Sequence, residues 1–271
     1  MAIVSKYKFC VLSIATDRYL DYWQDMILSA TQNADFKDLQ VLLFTDKPEN
    51  ISKEIRNLFP DNLVTVKISH EPWPFPTLKR FEYIVKNSEQ IKALNVLYID
   101  ADMIFQDYFD FNHFTQILEK EELLLVKHPG YFRPRGYERL HFYFTNPLQF
   151  LRDFLLILKH GSLGSWEKNP KSSAYVERKF RKVYFCGGIW MGQRNAVLEM
   201  SQQLSRNINS DLQESVIAIF HDESHLNRYA VDKNHATLDP SYCFEPTYPQ
   251  LSSLNPVIIA VNKNEGGEWI R

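Results

Sequence analysis

The chain has 271 residues, with 31 Lys and Arg against 33 Asp and Glu, for a formal net charge of −2. Such a balance carries no basic field of the kind that holds nucleic acid non-specifically. At 45% hydrophobic and 14% aromatic, with only 9 Gly and 13 Pro, the composition excludes a low-complexity chain and leaves ample material for a core.

The N-terminal stretch MAIVSKYKFCVLSI has no long apolar run behind its basic residues, so neither a signal peptide nor a membrane anchor is expected. Lys8–Ile14 is apolar and β-prone and reads as a buried first strand. Leu20, Trp23, Ile27 and Ala30 follow at helical spacing. Leu39–Thr45 is a second strand that runs into the turn residues Asp46, Lys47 and Pro48, and Leu63–Ile68 is a third. Leu78–Ile91 carries Phe81, Ile84 and Val85 on one helical face, and Val96–Ile99 is a short buried strand ending at Asp100. Strands alternating with helices predict an α/β fold with a mainly parallel sheet, and ligands of such sheets bind beyond the carboxyl ends of the strands.

The second half is less regular. Leu123–Lys127 reads as a strand, Leu148–Lys159 as a helix inside an aromatic stretch, Val183–Trp190 as a strand containing a glycine pair, and Leu212–Tyr229 as a helix. The apolar cluster Phe150–Leu158 is interrupted by Arg152 and Asp153 and cannot span a bilayer. The Phe- and Tyr-rich segment around it is expected to pack on its own domain rather than to form a membrane or partner surface. With no repeat and no linker, residues 1–271 are read as one domain. Cys10, Cys186 and Cys243 are far apart, odd in number and without a CxxC pair, which points to a reducing compartment and a cytoplasmic place.

Two segments carry chemistry. In VLYIDADMIF a buried strand delivers Asp100 and Asp102 to its own exit. Hard divalent cations take oxygen ligands and complete their shell with phosphate oxygens and water, so two carboxylates and a diphosphate would hold Mn2+ or Mg2+. The plainer alternative is a polar strand end with Asp100 capping the next segment. In HDESHLN, Asp222 and Glu223 are adjacent and diverge by about 100° on a helix, so they could approach one substrate from two sides. The alternatives are a capped helix start, or His221 and His225 as zinc ligands four apart. The zincin pattern needs Glu directly after the first His; Asp222 stands there, so a sugar or phosphate site is favoured over a zinc hydrolase.

FPTLKRFEYI, YIDADMIFQD, KHPGY, FCGGIWMG, FHDESHLNRY and LDPSYCFE, in that order, together resemble the ABO blood-group and α1,3-galactosyltransferase family, glycosyltransferase family 6. The similarity runs from about Lys8 to Arg271. It implies a GT-A fold, with a nucleotide-binding sheet flanked by helices and a second, acceptor-binding half. It also implies retaining transfer from UDP-Gal or UDP-GalNAc to O3 of a β-galactoside. By position, Leu12, Ile14 and Tyr19 match the uracil-contacting strand and turn, although the span from Ile14 to Tyr19 is longer than in mammalian members. Arg80 matches an arginine that approaches the donor. Asp100 and Asp102 match the metal motif, which many bacterial relatives replace with Asn. Cys186, Gly187 and Gly188 match the donor-selecting segment, and these glycines together with Gly130 imply a preference for GalNAc. Asp222 matches a donor-sugar contact and Glu223 the catalytic carboxylate. His128 and Ser165 match acceptor contacts. Lys263 and Arg271 match the C-terminal tail that closes on the diphosphate.

The chain departs from the family in places. Phe220 replaces a Trp near the acceptor and Glu245 replaces an Asp. A segment at about 136–161 is absent from mammalian members, as are here their stem and membrane segment, which fits a bacterial- or viral-type member. A sugar-binding module that kept the fold without catalysis is the rival class; it would be expected to lack Asp102 or Glu223, and both are present.

Overall fold

A computed structural model describes residues 5–261. In chain order the elements are β1 (Tyr7–Ile14), α1 (Tyr19–Asn33), β2 (Leu39–Thr45), α2 (Lys53–Leu58), β3 (Leu63–Lys67), α3 (Phe75–Leu78), α4 (Arg80–Lys86), β4 (Ala93–Ile99), β5 (Met103–Phe105) and α5 (Phe111–Leu118). There follow β6 (Leu123–Lys127), α6 (Gly136–Thr145), α7 (Pro147–His160), β7 (Phe185–Gln193), α8 (Arg194–Gln213), α9 (His221–Asp232), β8 (Ala236–Leu238) and β9 (Ile258–Ala260).

Seven strands form one sheet in the order β3-β2-β1-β4-β7-β6-β8. Every pairing is parallel except the two made by β7, which runs antiparallel to β4 and β6. The mainly parallel α/β sheet expected from the sequence is therefore present. Its strands are apolar on both faces because helices cover both. Along β1, Phe9 and Val11 enter one core while Cys10 and Leu12 enter the other; Val41 and Leu43 alternate with Leu42 and Phe44 on β2 in the same way. The helical spacing in the first segment is realised in α1, where Leu20, Trp23, Met26, Ile27 and Ala30 are buried. No helix among the described residues is long and apolar enough to cross a membrane.

Two expectations are corrected. The single helix read over Leu212–Tyr229 is two elements, because Ser215 (φ +57°) ends α8 and His221 (φ +46°) starts α9. The run Val216–Phe220 lies in the break between them. Only Ala218 there is buried, while Ile217, Ile219 and Phe220 are exposed, so it is not core. The aromatic segment at 136–161 does form the expected helix, α7, with α6 before it. It does not pack its apolar residues inward: Phe144 is 86% exposed and Leu148 82%.

The antiparallel direction of β7 places the site. Ile99 pairs with Ile189, and the Asp100 N–H donates to the Gly188 carbonyl at 2.8 Å. The start of β7 thus lies beside the carboxyl end of β4, and its two glycines stand next to the acidic pair.

Candidate active site

The site begins at the strand exits. A cavity of about 360 Å³ is lined by Ile14 and the β1–α1 turn through Tyr19, by His70 to Trp73, and by Arg80, Tyr98, Asp100 and Asp102. That volume suits a small ligand. Ile14, Tyr19, Arg80, Asp100 and Asp102 were expected in a donor site and meet here. Leu12 and Cys186 do not line the cavity: Leu12 is fully buried in one core and Cys186 is 5% exposed in the other. Period-2 alternation turns both side chains away, so each can reach a ligand only through its backbone.

Arg80 organises the centre. It is 4% exposed and its guanidinium lies over the Tyr98 ring at 4.2 Å. It meets Asp100 at 2.9 Å, Asp222 at 2.8 Å and the Gly187 carbonyl at 2.6 Å. Burial opposes its charge, but Asp222, Tyr98 and Asp100 outweigh that and hold its pKa above the ordinary value. One cation thus joins β4, β7 and α9. It is expected from the sequence as a donor contact, and the structure places it as the tie between the two acidic motifs. Tyr98 also donates to Asp100 at 2.7 Å, and its ring stacks on Trp190. Among the described residues, Arg80 Nε and Tyr184 Oη are buried without a hydrogen-bond partner. Two orphaned donors of this kind beside three carboxylates suit a polar ligand.

At the N-terminal turn of α9, Asp222 is buried and Glu223 half-buried, and neither lines the cavity. Glu223 Oε2 accepts the Gly187 N–H at 2.8 Å. Burial pushes the Glu223 pKa up to about 7, although Gly187, Tyr184 and Arg80 pull the other way. Tyr184 lies close enough to Glu223 to exert that pull, yet the pair falls outside hydrogen-bond geometry. Burial likewise raises Asp222 to about 7 against the lowering effect of Arg80. A Cβ on Gly187 would stand 3.1 Å from Glu223 Cβ, and one on Gly188 would stand 2.9 Å from Asp100 Oδ2 and 3.1 Å from Met103 Cε. Both glycines therefore admit a carboxylate, a role not read from the sequence.

Asn227 was missed as a positioning residue. Its amide satisfies both backbone groups of Phe185 at 2.8 Å each and donates to the Glu223 carbonyl at 2.9 Å, fixing α9 to β7. The signal was a polar residue at the end of HDESHLN that must be buried and therefore bonded.

His128 meets the Tyr131 ring at a tilt and the Tyr184 ring edge-on. Its Nδ1 accepts the Gly130 N–H at 3.0 Å, and burial lowers its pKa to about 4, so it is neutral with the remaining proton on Nε2. Ser165 hydrogen-bonds Tyr131, which brings it next to His128. Phe220 is 43% exposed at the head of α9. Glu245 is taken up locally by Thr247. Lys263 and Arg271 lie outside the described residues.

His221 packs edge-on against Trp73, whereas His225 is 1% exposed and faces Asp211 and Ser173. The two histidines have separate surroundings, and among the described residues no group of three or more His, Cys, Asp or Glu could hold a metal ion by itself. Asp100 and Asp102 offer hard oxygens at the cavity wall. That donor set fits Mn2+ or Mg2+ when phosphate and water supply the rest of the shell.

The model of Glycosyltransferase family 6 matches residues 161–271. The chain is similar to Histo-blood group ABO system transferase 1 of Rattus norvegicus, 27% identical over 207 residues, which is 75% of this chain and 51% of that protein. It is also similar to Globoside alpha-1,3-N-acetylgalactosaminyltransferase 1 of Mus musculus, 26% identical over 84% of this chain and 58% of that protein. A third relative is the O-antigen biosynthesis glycosyltransferase WbnI of Escherichia coli, 22% identical over 69% of this chain and 68% of that protein. The chain spans about half the length of the first two curated relatives it matches.

Proposed function

We propose, from the premise that this chain is a relative of the family 6 glycosyltransferases, that it moves GalNAc or Gal from a UDP-sugar to O3 of a β-galactoside with retention. In this reading residues 1–271 are one catalytic domain. The observation that carries it is the Arg80 bridge. One buried guanidinium holds Asp100, at the mouth of the nucleotide-sized cavity, and Asp222, beside Glu223, in a single cluster. A motif suited to a diphosphate and a pair of carboxylates suited to a sugar are thus joined through one cation, although only the first lines the cavity.

Each residue then has a task. The β1–α1 turn and Arg80 would receive the nucleotide. Asp102, with Asp100, would hold Mn2+ or Mg2+, which when bound screens the charge growing on the departing diphosphate. Asp222 would accept a hydroxyl of the donor sugar. Glu223, aimed by the Gly187 N–H, would face the anomeric carbon as a carboxylate, either attacking it or stabilising its positive charge. Neutral His128 would donate from Nε2 to the acceptor, with Ser165 beside it. A UDP-release assay crossing UDP-Gal and UDP-GalNAc with a panel of galactosides, with and without Mn2+, tests the reading. Release that needs no acceptor and no metal would count against it. Within that assay UDP-GalNAc is the expected better donor, given glycine at positions 130, 187 and 188.

A further inference from the structure

The helix pair α6–α7 presents its two faces the wrong way round for a helix packed on a protein. On α7, Gln149, Asp153 and His160 face inward, while Leu148, Leu151, Leu155 and Leu158 are more than half exposed. Half of the large apolar residues that the described surface exposes fall in these two helices. Surface helices normally bury their apolar stripe, and exposed patches of this density mark an interaction site.

The inverted arrangement is held by design of the polar side. Asp153 is 2% exposed and takes hydrogen bonds from Arg133, from Gln149 at 2.7 Å and from Tyr143 at 2.9 Å. This buried network fixes the rotation of α7 about its axis, so its leucines cannot turn inward.

The charge around the apolar face has one dominant sign. Arg135, Arg139, Arg152 and Lys159 are exposed on the pair, with Glu138 the one exposed acid there among the described residues. At the carboxyl end of α7, Arg178 and Arg181 donate to the carbonyls of Leu158 and His160, and Lys168 meets the His160 ring at 3.2 Å. Four cations, Lys159, Lys168, Arg178 and Arg181, thus crowd one end of an apolar helix. A second copy of the same face would bring like charge against like charge.

We propose that α6–α7 is a membrane-surface element that lays its leucines and phenylalanines into the headgroup boundary of a bilayer rich in anionic lipid. An α7 of 14 residues, about 21 Å long, lies in the interface plane rather than crossing it. The leucines supply apolar burial and the cations select the charge of the surface. The pair is rooted between Tyr131 and Ser165, whose hydroxyls bond to each other, so the element leaves the fold next to His128.

The experiment is co-sedimentation of the full chain with phosphatidylcholine vesicles, with and without phosphatidylglycerol. The chain should partition onto the phosphatidylglycerol vesicles and much less onto phosphatidylcholine alone. Leu148→Ser with Leu155→Ser should reduce partition at least about tenfold. Arg152→Glu with Lys159→Glu should reduce it roughly fivefold per cation removed, with a strong dependence on salt. Circular dichroism and UDP release on a soluble galactoside should be unchanged in both variants, which shows that they fold. Absence of partition by the wild type overturns the proposal. So does a wild-type dimer in light scattering that the leucine variant dissociates without any vesicle binding, because the occupant is then a second copy. Partition that survives loss of the leucines also overturns it, since cations alone would then carry the binding.

Discussion

Glu223 on α9 accepts the backbone N–H of Gly187 on β7 at 2.8 Å, which ties the candidate catalytic carboxylate to the same strand that meets Asp100 through Gly188. The carboxylate is aimed by backbone rather than by a mobile side chain. Glu223→Gln keeps an oxygen for that N–H but removes the charge. Turnover should fall at least about 100-fold while UDP affinity stays near that of the wild type, because one preorganised charged group is worth about that much. Near-normal turnover would remove Glu223 from the chemistry.

Arg80 neutralises two carboxylates at once. Arg80→Met should leave Asp222 buried without its partner and cost about 3–5 kcal/mol in stability, read as a lower urea midpoint. Adding Asp222→Asn should recover part of the loss. A single mutant as stable as the wild type would show that the bridge contributes nothing to folding.

The raised pKa values of Asp222 and Glu223 fix two signs. If Glu223 acts as a carboxylate, kcat/KM should rise with pH through about 7 and level off above it. Stability should run the opposite way. Both groups titrate higher folded than unfolded, so the folded state is favoured at low pH and loses that advantage as pH rises from the ordinary carboxylate range through about 7. Urea midpoints on either side of that window, for the wild type and for the Glu223→Gln variant, separate the two effects. A flat rate profile would mean that neither group titrates in the rate-determining state.

Metal removal should abolish transfer. EDTA is expected to stop UDP release and Mn2+ to restore it, and Asp102→Asn should behave like the chelated enzyme. Full activity in chelator would assign Asp102 to another task.

Gly188→Ala is expected to lower kcat/KM with both donors rather than only shift their ratio. Its Cβ would meet Asp100 Oδ2 at 2.9 Å before it met any sugar, and Met103 Cε at 3.1 Å. The glycine that the resemblance links simply to GalNAc preference thus first makes room for Asp100. Steady-state kinetics with UDP-GalNAc and UDP-Gal decide the point, and a changed ratio with undiminished turnover would restore the simpler account.

Much of this molecule was legible in the chain. β2 begins and ends at the predicted residues, and the helical spacing of Leu20, Trp23, Ile27 and Ala30 is the buried face of α1. Local pattern suffices there because a strand or helix that feeds one core repeats its apolar residues at its own period. The acidic pair after VLYI and the carboxylates of HDESHLN were also visible, since dense polar residues beside apolar sequence need partners. What pattern could not supply was the partner. Whether Leu212–Tyr229 was one helix or two depended on positive φ at Ser215 and His221, which apolar spacing does not encode. The exposed leucines of α7 look like core residues in the sequence, and only the buried Asp153 network shows that they face outward. That Arg80 joins Asp100 to Asp222, and that Gly187 aims Glu223, follows from β7 running antiparallel beside β4. Sequence fixes what lies within one element, where contacts are periodic. The site is made of residues from distant parts of the chain, and their meeting is set by the order and direction of strands, which the tertiary structure alone decides.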